Sequence, residues 1–370
     1  MSSSQTSNLN DEFQARSLKG VSRSFALTIP QLPPQLARAA SNAYLICRIN
    51  DTIEDDPALT IDQKQYFFGA FNDVVDGKLP AGRFADELSP LLSGDPLSKE
   101  NELVRNTPSV MQIFTHLNPF QQAEIRRCVK TMSSGMLKFQ RISNPEGLDT
   151  LRQMNDYCYY VAGVVGEMLT GLFCDYSGQI ERKSGSLLSL AASFGQGLQM
   201  TNILKDVWED KQKGVCWLPK DVFHQAGFEL SALYSGTNNS KFAQGLYSLL
   251  AVTHGHLQNA LAYTLMIPSH ETGIRKFCYW AVGLALGTLQ KINHTPSYTC
   301  AKDVTLSRST TRRILMASSI SIRSNFMLKL LFKSTARGLP SSEIKKDTLF
   351  PLASHEGLPE NRLQDAGSIR

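Results

Sequence analysis

Two acidic clusters carry the chemistry most plainly in this 370-residue chain: Asp51-Thr52-Ile53-Glu54-Asp55-Asp56, and the run from Asn202 to Asp210 that contains Lys205, Asp206 and Glu209. The apolar spacing around each predicts helix. Residues three and four apart on a helix share a face, with Cβ atoms about 5–6 Å from each other. Asp51, Glu54 and Asp55 then form one patch, and Asn202, Asp206 and Asp210 a second. Like charges crowded this way repel, and a cation is the simplest partner for them. Hard oxygen ligands suit Mg²⁺, which keeps several waters and bridges to phosphate. Two such patches point to a diphosphate held between helices.

Neighbouring residues extend that chemistry. Gln199 precedes Asn202 by one turn, and Lys205 can meet a phosphate as a point charge. Arg23 and Arg48 are further phosphate donors that stay charged. The stretch Tyr157-Cys158-Tyr159-Tyr160-Val161-Ala162-Gly163-Val164-Val165-Gly166 has small residues at 162, 163 and 166, which admit either another helix backbone or a ligand. A tyrosine hydroxyl in a dry cavity can move a proton. Each feature also has a plainer reading. The first cluster could be a solvated acidic turn or a capping box beginning at Asp51. The second could be an exposed polar stripe, and the tyrosines could simply pack. Acidic side chains near a helix C-terminus, where Pro57 stops the pattern, are disfavoured by about 0.3–1 kcal/mol each. Two carboxylate ladders amid apolar helices favour metal binding.

The elements that must position these residues are helical throughout. Helical periodicity runs from Phe13 to about Val75, broken at Pro30, Pro33-Pro34 and Pro57. Residues 77–108 are rich in Gly, Pro, Ser and charge and predict short helices in connecting loops. Long helices are expected over about 110–140, 148–176, 183–212, 241–266 and 271–292. No segment alternates like a strand, and no internal repeat is evident. The expected fold class is all-α. A flexible tail is expected over 1–12, one domain over 13–337 and a polar tail over 338–370.

Composition narrows the function classes. A net charge of +5 is too small to argue for nucleic acid. Seven cysteines without a CxxC pair indicate a reducing compartment, with neither a disulfide framework nor a zinc site. The polar first dozen residues show no signal peptide. The apolar run Phe277 to Leu289 is shorter than the roughly 20 residues that span a bilayer. The expected location is the cytoplasm. Between Arg308 and Arg337, seven basic and no acidic residues are interleaved with apolar ones such as Ile320, Phe326 and Leu330. This basic amphipathic segment predicts either peripheral contact with the inner face of a membrane or a packing helix with a solvated basic face.

Four blocks together make the chain resemble the squalene/phytoene synthase family: Val21-Ser22-Arg23-Ser24-Phe25-Ala26, Tyr44 to Asp56, Tyr157 to Gly166, and Gln199 to Asp210. The resemblance covers roughly residues 13–310. It implies an isoprenoid-synthase helical domain with a central cavity, and Mg²⁺ held by Asp51, Glu54 and Asp55 facing Asn202, Asp206 and Asp210. It implies head-to-head condensation of two farnesyl diphosphates through presqualene diphosphate, followed by NADPH reduction to squalene. The same condensation could instead stop at presqualene diphosphate, dehydrosqualene or phytoene without NADPH.

By the same resemblance, Tyr157 handles a proton while Asp51, Asp55, Asp206 and Asp210 serve ionisation. Arg23, Ser24, Phe25, Tyr44, Arg48, Gln199, Lys205 and Phe277 face the substrate, and Asn202, Lys205 and Arg308 face the nicotinamide. A monomer is expected. Three positions depart from the family pattern. Val215 stands where an arginine is frequent, with Lys211 or Lys213 able to supply the charge. Thr305 stands where a lysine is frequent, and Ala281 where some relatives have proline. A non-catalytic helical partner protein is the alternative of another class, and the intact carboxylates with Tyr157 argue against it.

Overall fold

The computed structural model describes residues 3–22, 24–95, 97–234 and 239–341, with side chains described from residue 12 onward. Nineteen α-helices occur among the described residues, with short 3₁₀ and π turns beside them, and no strand does. The N-terminal region holds α1 (Ser3–Val21), α2 (Phe25–Thr28), α3 (Pro34–Asp55), α4 (Ile61–Val75), α5 (Ala81–Leu88), α6 (Lys99–Arg105) and α7 (Thr107–Thr115). The middle holds α8 (Pro119–Ile142), α9 (Leu151–Cys158), α10 (Val164–Tyr176), α11 (Gly178–Glu181), α12 (Ser184–Lys205) and α13 (Val207–Gln212). The rest comprises α14 (Lys220–Gln225), α15 (Ser240–Met266), α16 (Thr272–His294), α17 (Ala301–Val304), α18 (Arg308–Ser321) and α19 (Asn325–Thr335).

Local chemistry sets many of these boundaries. Pro34 begins α3, where its missing N–H costs nothing. Thr60 with Gln63 and Asn118 with Gln121 close reciprocal capping boxes at the starts of α4 and α8. Helix α1 begins at Ser3, inside the segment expected to be a tail. With Leu18 buried in the core, each further N-terminal residue adds one backbone hydrogen bond to an existing helix, so propagation costs little. The C-terminal tail expected over 338–370 lies outside the described residues from position 342 onward.

Two long expected helices are interrupted. Between α9 and α10, residues Tyr159–Gly163 form a π turn in which Val164 N–H reaches Tyr159 O. The expected helix over 183–212 breaks at Asp206 (φ −100°, ψ 15°). Tyr298 explains the break: its hydroxyl donates to Leu204 O, a carbonyl of the helical ladder, while its own carbonyl accepts from Trp208 Nε1 at 2.7 Å. A side chain entering the ladder is a common cause of a helix kink.

Helix α12 is the central rod. Its Leu187 and Ala191 belong to a core with Phe71, Phe114 and Phe173 of α4, α7 and α10. Its Met200 and Leu204 join a second core with Trp208, Phe242, Leu250 and Leu286. Backbone-to-backbone packing couples α12 to the π turn, because a Cβ on Gly195 would sit 2.1 Å from Ala162 O and one on Gly166 2.2 Å from Ala191 O. The small residues of the tyrosine stretch thus admit a helix backbone. The helical stretch Leu151–Tyr176 is long and apolar enough by composition to cross a membrane, and here its Met168, Leu172 and Phe173 are buried in the core.

Candidate active site

Helix α3 presents Tyr44, Arg48, Asp51 and Asp55 along one face, at spacings of four, three and four residues. Arg48 reaches Asp51 Oδ2 with Nη1 at 3.7 Å and Glu100 Oε1 of α6 with Nη2 at 3.3 Å. Asp56, last of the cluster, has a different task. It accepts from Ala58 N and Ser93 N, both at 2.8 Å, and so fixes the chain after α3. Asp51 is not the start of a capping box, since α3 continues through it to Asp55.

The second jaw survives the kink in α12. Asp206 N–H still donates to Asn202 O at 2.8 Å and Asp210 N–H to Asp206 O at 2.9 Å, so the three residues keep their ladder. Lys205 Nζ lies 3.2 Å from Asp206 Oδ2. Asn202 is exposed and Gln199 half-buried on α12.

The two ladders act on each other electrostatically. Burial raises Asp51 to about 7, with Arg48 opposing and Asp55 adding. Asp210 is also raised to about 7, first by desolvation and then by Asp206 and by Asp55 from the other jaw. Asp206 is raised by desolvation, with Lys205 opposing. Asp55 is raised by desolvation too, and is held down by Arg48, Lys213 and Lys64. Lys213, exposed after α13, acts on Asp55, Asp206 and Asp210 together. Lys211 is occupied elsewhere, donating to Pro145 O at 2.6 Å and Leu230 O at 3.3 Å. Of the two lysines weighed for the charge absent at Val215, Lys213 is the one at the jaws.

Glu54 points inward. It is buried, one carboxylate oxygen has no hydrogen-bond partner, and desolvation followed by Asp55 and Asp51 raises it strongly. An orphaned buried oxygen beside half-buried carboxylates is a donor set that fits a hard divalent cation. No three Asp, Glu, His or Cys side chains among the described residues converge as a ready metal cage. Mg²⁺ commonly takes only one or two carboxylates and completes its shell with water and substrate phosphate.

Tyr157 is buried within electrostatic reach of carboxylates from both ladders. Its ring stacks on Trp217 at 3.8 Å and 7° and meets Phe139 edge-on at 5.3 Å. Burial raises its hydroxyl strongly, with Glu54, Asp55, Cys158 and Asp210 adding to the shift. Trp217 was not singled out from the sequence. The Trp217 loop is held by a bridge in which Leu148 N donates to Leu218 O at 2.9 Å and Lys220 N to Leu148 O at 2.7 Å. Behind Tyr157, Asn155 O accepts from Gln196 Nε2 at 3.1 Å, and Asn155 Oδ1 lies 3.3 Å from His256 Nε2, another unanticipated contact.

Three aromatic residues expected to face the substrate, Phe25, Tyr44 and Phe277, lie close together. Phe25 lies 5.0 Å from the Tyr44 ring and 6.4 Å from the Phe277 ring, centroid to centroid. Ser24 is exposed just before α2. Arg23 lies outside the described residues. Arg308 is exposed at the start of α18, and no hydrogen bond or ion pair among the described residues joins it to Asn202 or Lys205.

The all-α frame, with two carboxylate-bearing helices and a buried tyrosine, agrees with the isoprenoid-synthase helical fold that the resemblance implies. Among solved structures, it is similar to TcSQS in complex with the ligand E5700 (TM-score 0.72, 23% identity, 92% of this chain and 95% of that one). It is also similar to a dehydrosqualene synthase bound to a ligand (TM-score 0.63, 22% identity, 89% and 99%). At those identities the likeness is one of fold. The family model described as squalene/phytoene synthase matches residues 18–310. The chain belongs to the squalene/phytoene synthase family.

Its curated relatives include the squalene synthase of Yarrowia lipolytica, 30% identical over 302 residues, and that of Solanum lycopersicum, 32% identical over 276 residues. Those alignments cover 80% and 74% of this chain, but only 64% and 62% of the relatives' own lengths.

Proposed function

We propose that this protein is a Mg²⁺-dependent prenyltransferase that joins two farnesyl diphosphates head to head through presqualene diphosphate, then reduces the product to squalene with NADPH. The observation that carries this reading is the pair of carboxylate ladders that act on each other and on Tyr157, in a chain 30–32% identical to curated squalene synthases. Bound between Asp51, Glu54 and Asp55 on one side and Asn202, Asp206 and Asp210 on the other, Mg²⁺ would neutralise the diphosphate and assist its departure.

The chain's own residues divide the remaining work. Arg48, Lys205 and Lys213 supply fixed positive charge to diphosphate oxygens. Gln199, with Arg23 and Ser24, would contact the same substrate. Phe25, Tyr44 and Phe277 offer ring faces to a cationic prenyl chain. Trp217 and Phe139 keep water from the Tyr157 ring, which matters because water would quench an allylic cation as an alcohol. The Tyr157 hydroxyl is held protonated by burial and by Glu54, Asp55 and Asp210. It therefore suits a relay role, accepting the proton lost on cyclopropane closure while passing its own to an acceptor oxygen.

Asn202, Lys205 and Arg308 are the candidate nicotinamide contacts, and Val215 and Thr305 replace residues frequent in the family. The second reading stops the same condensation at presqualene diphosphate, dehydrosqualene or phytoene. We place the protein in the cytoplasm as a monomer, peripherally bound at a membrane.

Product analysis by mass after incubation with Mg²⁺ and farnesyl diphosphate, with and without NADPH, tests both readings. Presqualene diphosphate without NADPH and squalene with it are expected. An unchanged profile on adding NADPH removes squalene as the product. Failure to release diphosphate from any prenyl diphosphate removes the enzyme reading.

A further inference from the structure

The family match ends at residue 310, and most of α18 and all of α19 lie beyond it. The segment expected to be one basic amphipathic helix is two, separated at residues 322–324. Each buries one face and leaves an apolar arc outside. On α18, Ser318 and Ser321 are buried while Met316 is 52% and Ile320 87% exposed. Arg312 and Arg313, four and three residues before Met316, lie one turn away on the same side of the helix. On α19, Leu328 and Phe332 are buried while Phe326 is 73% and Leu330 52% exposed, with Lys329 and Lys333 beside them. Isolated exposed apolar side chains need no explanation, but a clustered set rimmed by charge marks an interaction surface.

Arg275 of α16 fixes this corner. The side chain is fully buried, and its Nε, Nη1 and Nη2 donate at 2.7 Å to Ile322 O, Ile267 O and Asn325 Oδ1. The turn between the two helices is thereby held to the α15–α16 junction. Ile320 and Phe326, on either side of that turn, are displayed rather than folded inward.

We propose that the α18–α19 corner is a docking face for an anionic lipid surface. Ile320, Phe326 and Leu330 enter the acyl boundary while Arg312, Arg313, Arg323, Lys329 and Lys333 meet the headgroups. Charge decides the occupant: seven basic and no acidic residues lie between Arg308 and Arg337. Basic residues around an apolar stripe match an acidic interface. This deepens the peripheral placement proposed above and is independent of the reaction.

The test is co-sedimentation of the full chain, without substrate, with vesicles of phosphatidylcholine alone or containing about 30% phosphatidylglycerol. Retention on the anionic vesicles only is expected, falling about tenfold or more as salt rises from about 0.05 to 0.5 M. The double variants Ile320→Ser/Phe326→Ser and Arg323→Glu/Lys329→Glu should each lower anionic retention about tenfold or more, with unchanged helical circular dichroism and melting. Equal retention on neutral and anionic vesicles would overturn the proposal, as would wild-type retention by both variants. So would a concentration-dependent dimer that Ile320→Ser/Phe326→Ser dissociates in a protein showing no lipid binding, because the face would then belong to a second copy.

Discussion

Two lysines two residues apart offer the sharpest test of the active-site geometry. Lys213 is exposed and acts electrostatically on Asp55, Asp206 and Asp210, whereas Lys211 ties Pro145 O and Leu230 O together. Replacing Lys213 by alanine removes a cation from the jaws but no hydrogen bond that holds the fold. If it contacts a diphosphate oxygen, the charge-assisted bond contributes about 1.5–3 kcal/mol. That corresponds to a loss of about 10- to 150-fold in kcat/KM for farnesyl diphosphate. Melting temperature should hardly move, and Lys213→Arg should restore most of the loss. Lys211→Ala should do the reverse, costing about 1–3 kcal/mol of stability through two lost carbonyl partners while kcat/KM stays near wild type. Steady-state kinetics at saturating Mg²⁺ and thermal melts of the three variants check this. Similar kcat/KM losses in both alanine variants, or none in Lys213→Ala, would refute the assignment of Lys213 to the site.

Two further expectations concern the carboxylates. Asp51→Asn and Asp210→Asn should each lower turnover by about 100-fold or more while the metal-free protein melts no lower than wild type, since each change relieves like-charge crowding; near-normal turnover in both would remove the metal assignment. Asp51 and Asp210 are raised from 3.8 to about 7 in the fold, so between about pH 4 and 7 the folded state keeps protons that the unfolded chain has released. Stability of the metal-free protein should therefore fall as pH rises through that window, and Mg²⁺ should raise the melting temperature more at pH 8 than at pH 5.5. Metal-free melting that does not vary with pH, or an equal Mg²⁺ effect at both pH values, would contradict this.

Much of the site was legible because helical periodicity places residues on faces without reference to anything distant. Asp51 and Asp55, and Asn202, Asp206 and Asp210, follow from spacing alone. The aromatic trio of Phe25, Tyr44 and Phe277 needed the family resemblance, since those residues come from three separate helices. What escaped the sequence depends on contacts between remote segments. Trp217 reaches Tyr157 only because Leu148, about seventy residues earlier, bonds the backbone on either side of Pro219. The break at Asp206 comes from Tyr298, more than ninety residues downstream. The choice between Lys211 and Lys213 turns on which of two adjacent loops each side chain meets, and no periodicity encodes that. The C-terminal basic segment showed its composition but not its division into two helices, which Ile322 and the buried Arg275 determine together.

The π turn at Tyr159–Gly163 acts as a rotary offset in an otherwise continuous rod. One residue beyond the α repeat advances everything after it by about 100° around the axis. Tyr157, before the turn, and Gly166, after it, are therefore keyed to different partners, Trp217 and the α12 backbone. Deleting a single residue from this turn would restore an unbroken α-helix and swing α10 out of phase. The close contact between Gly166 and Ala191 would then be met by a side chain. Such a deletion should be harder for the protein to absorb than most single substitutions in its core, because it misaligns a whole helix at once.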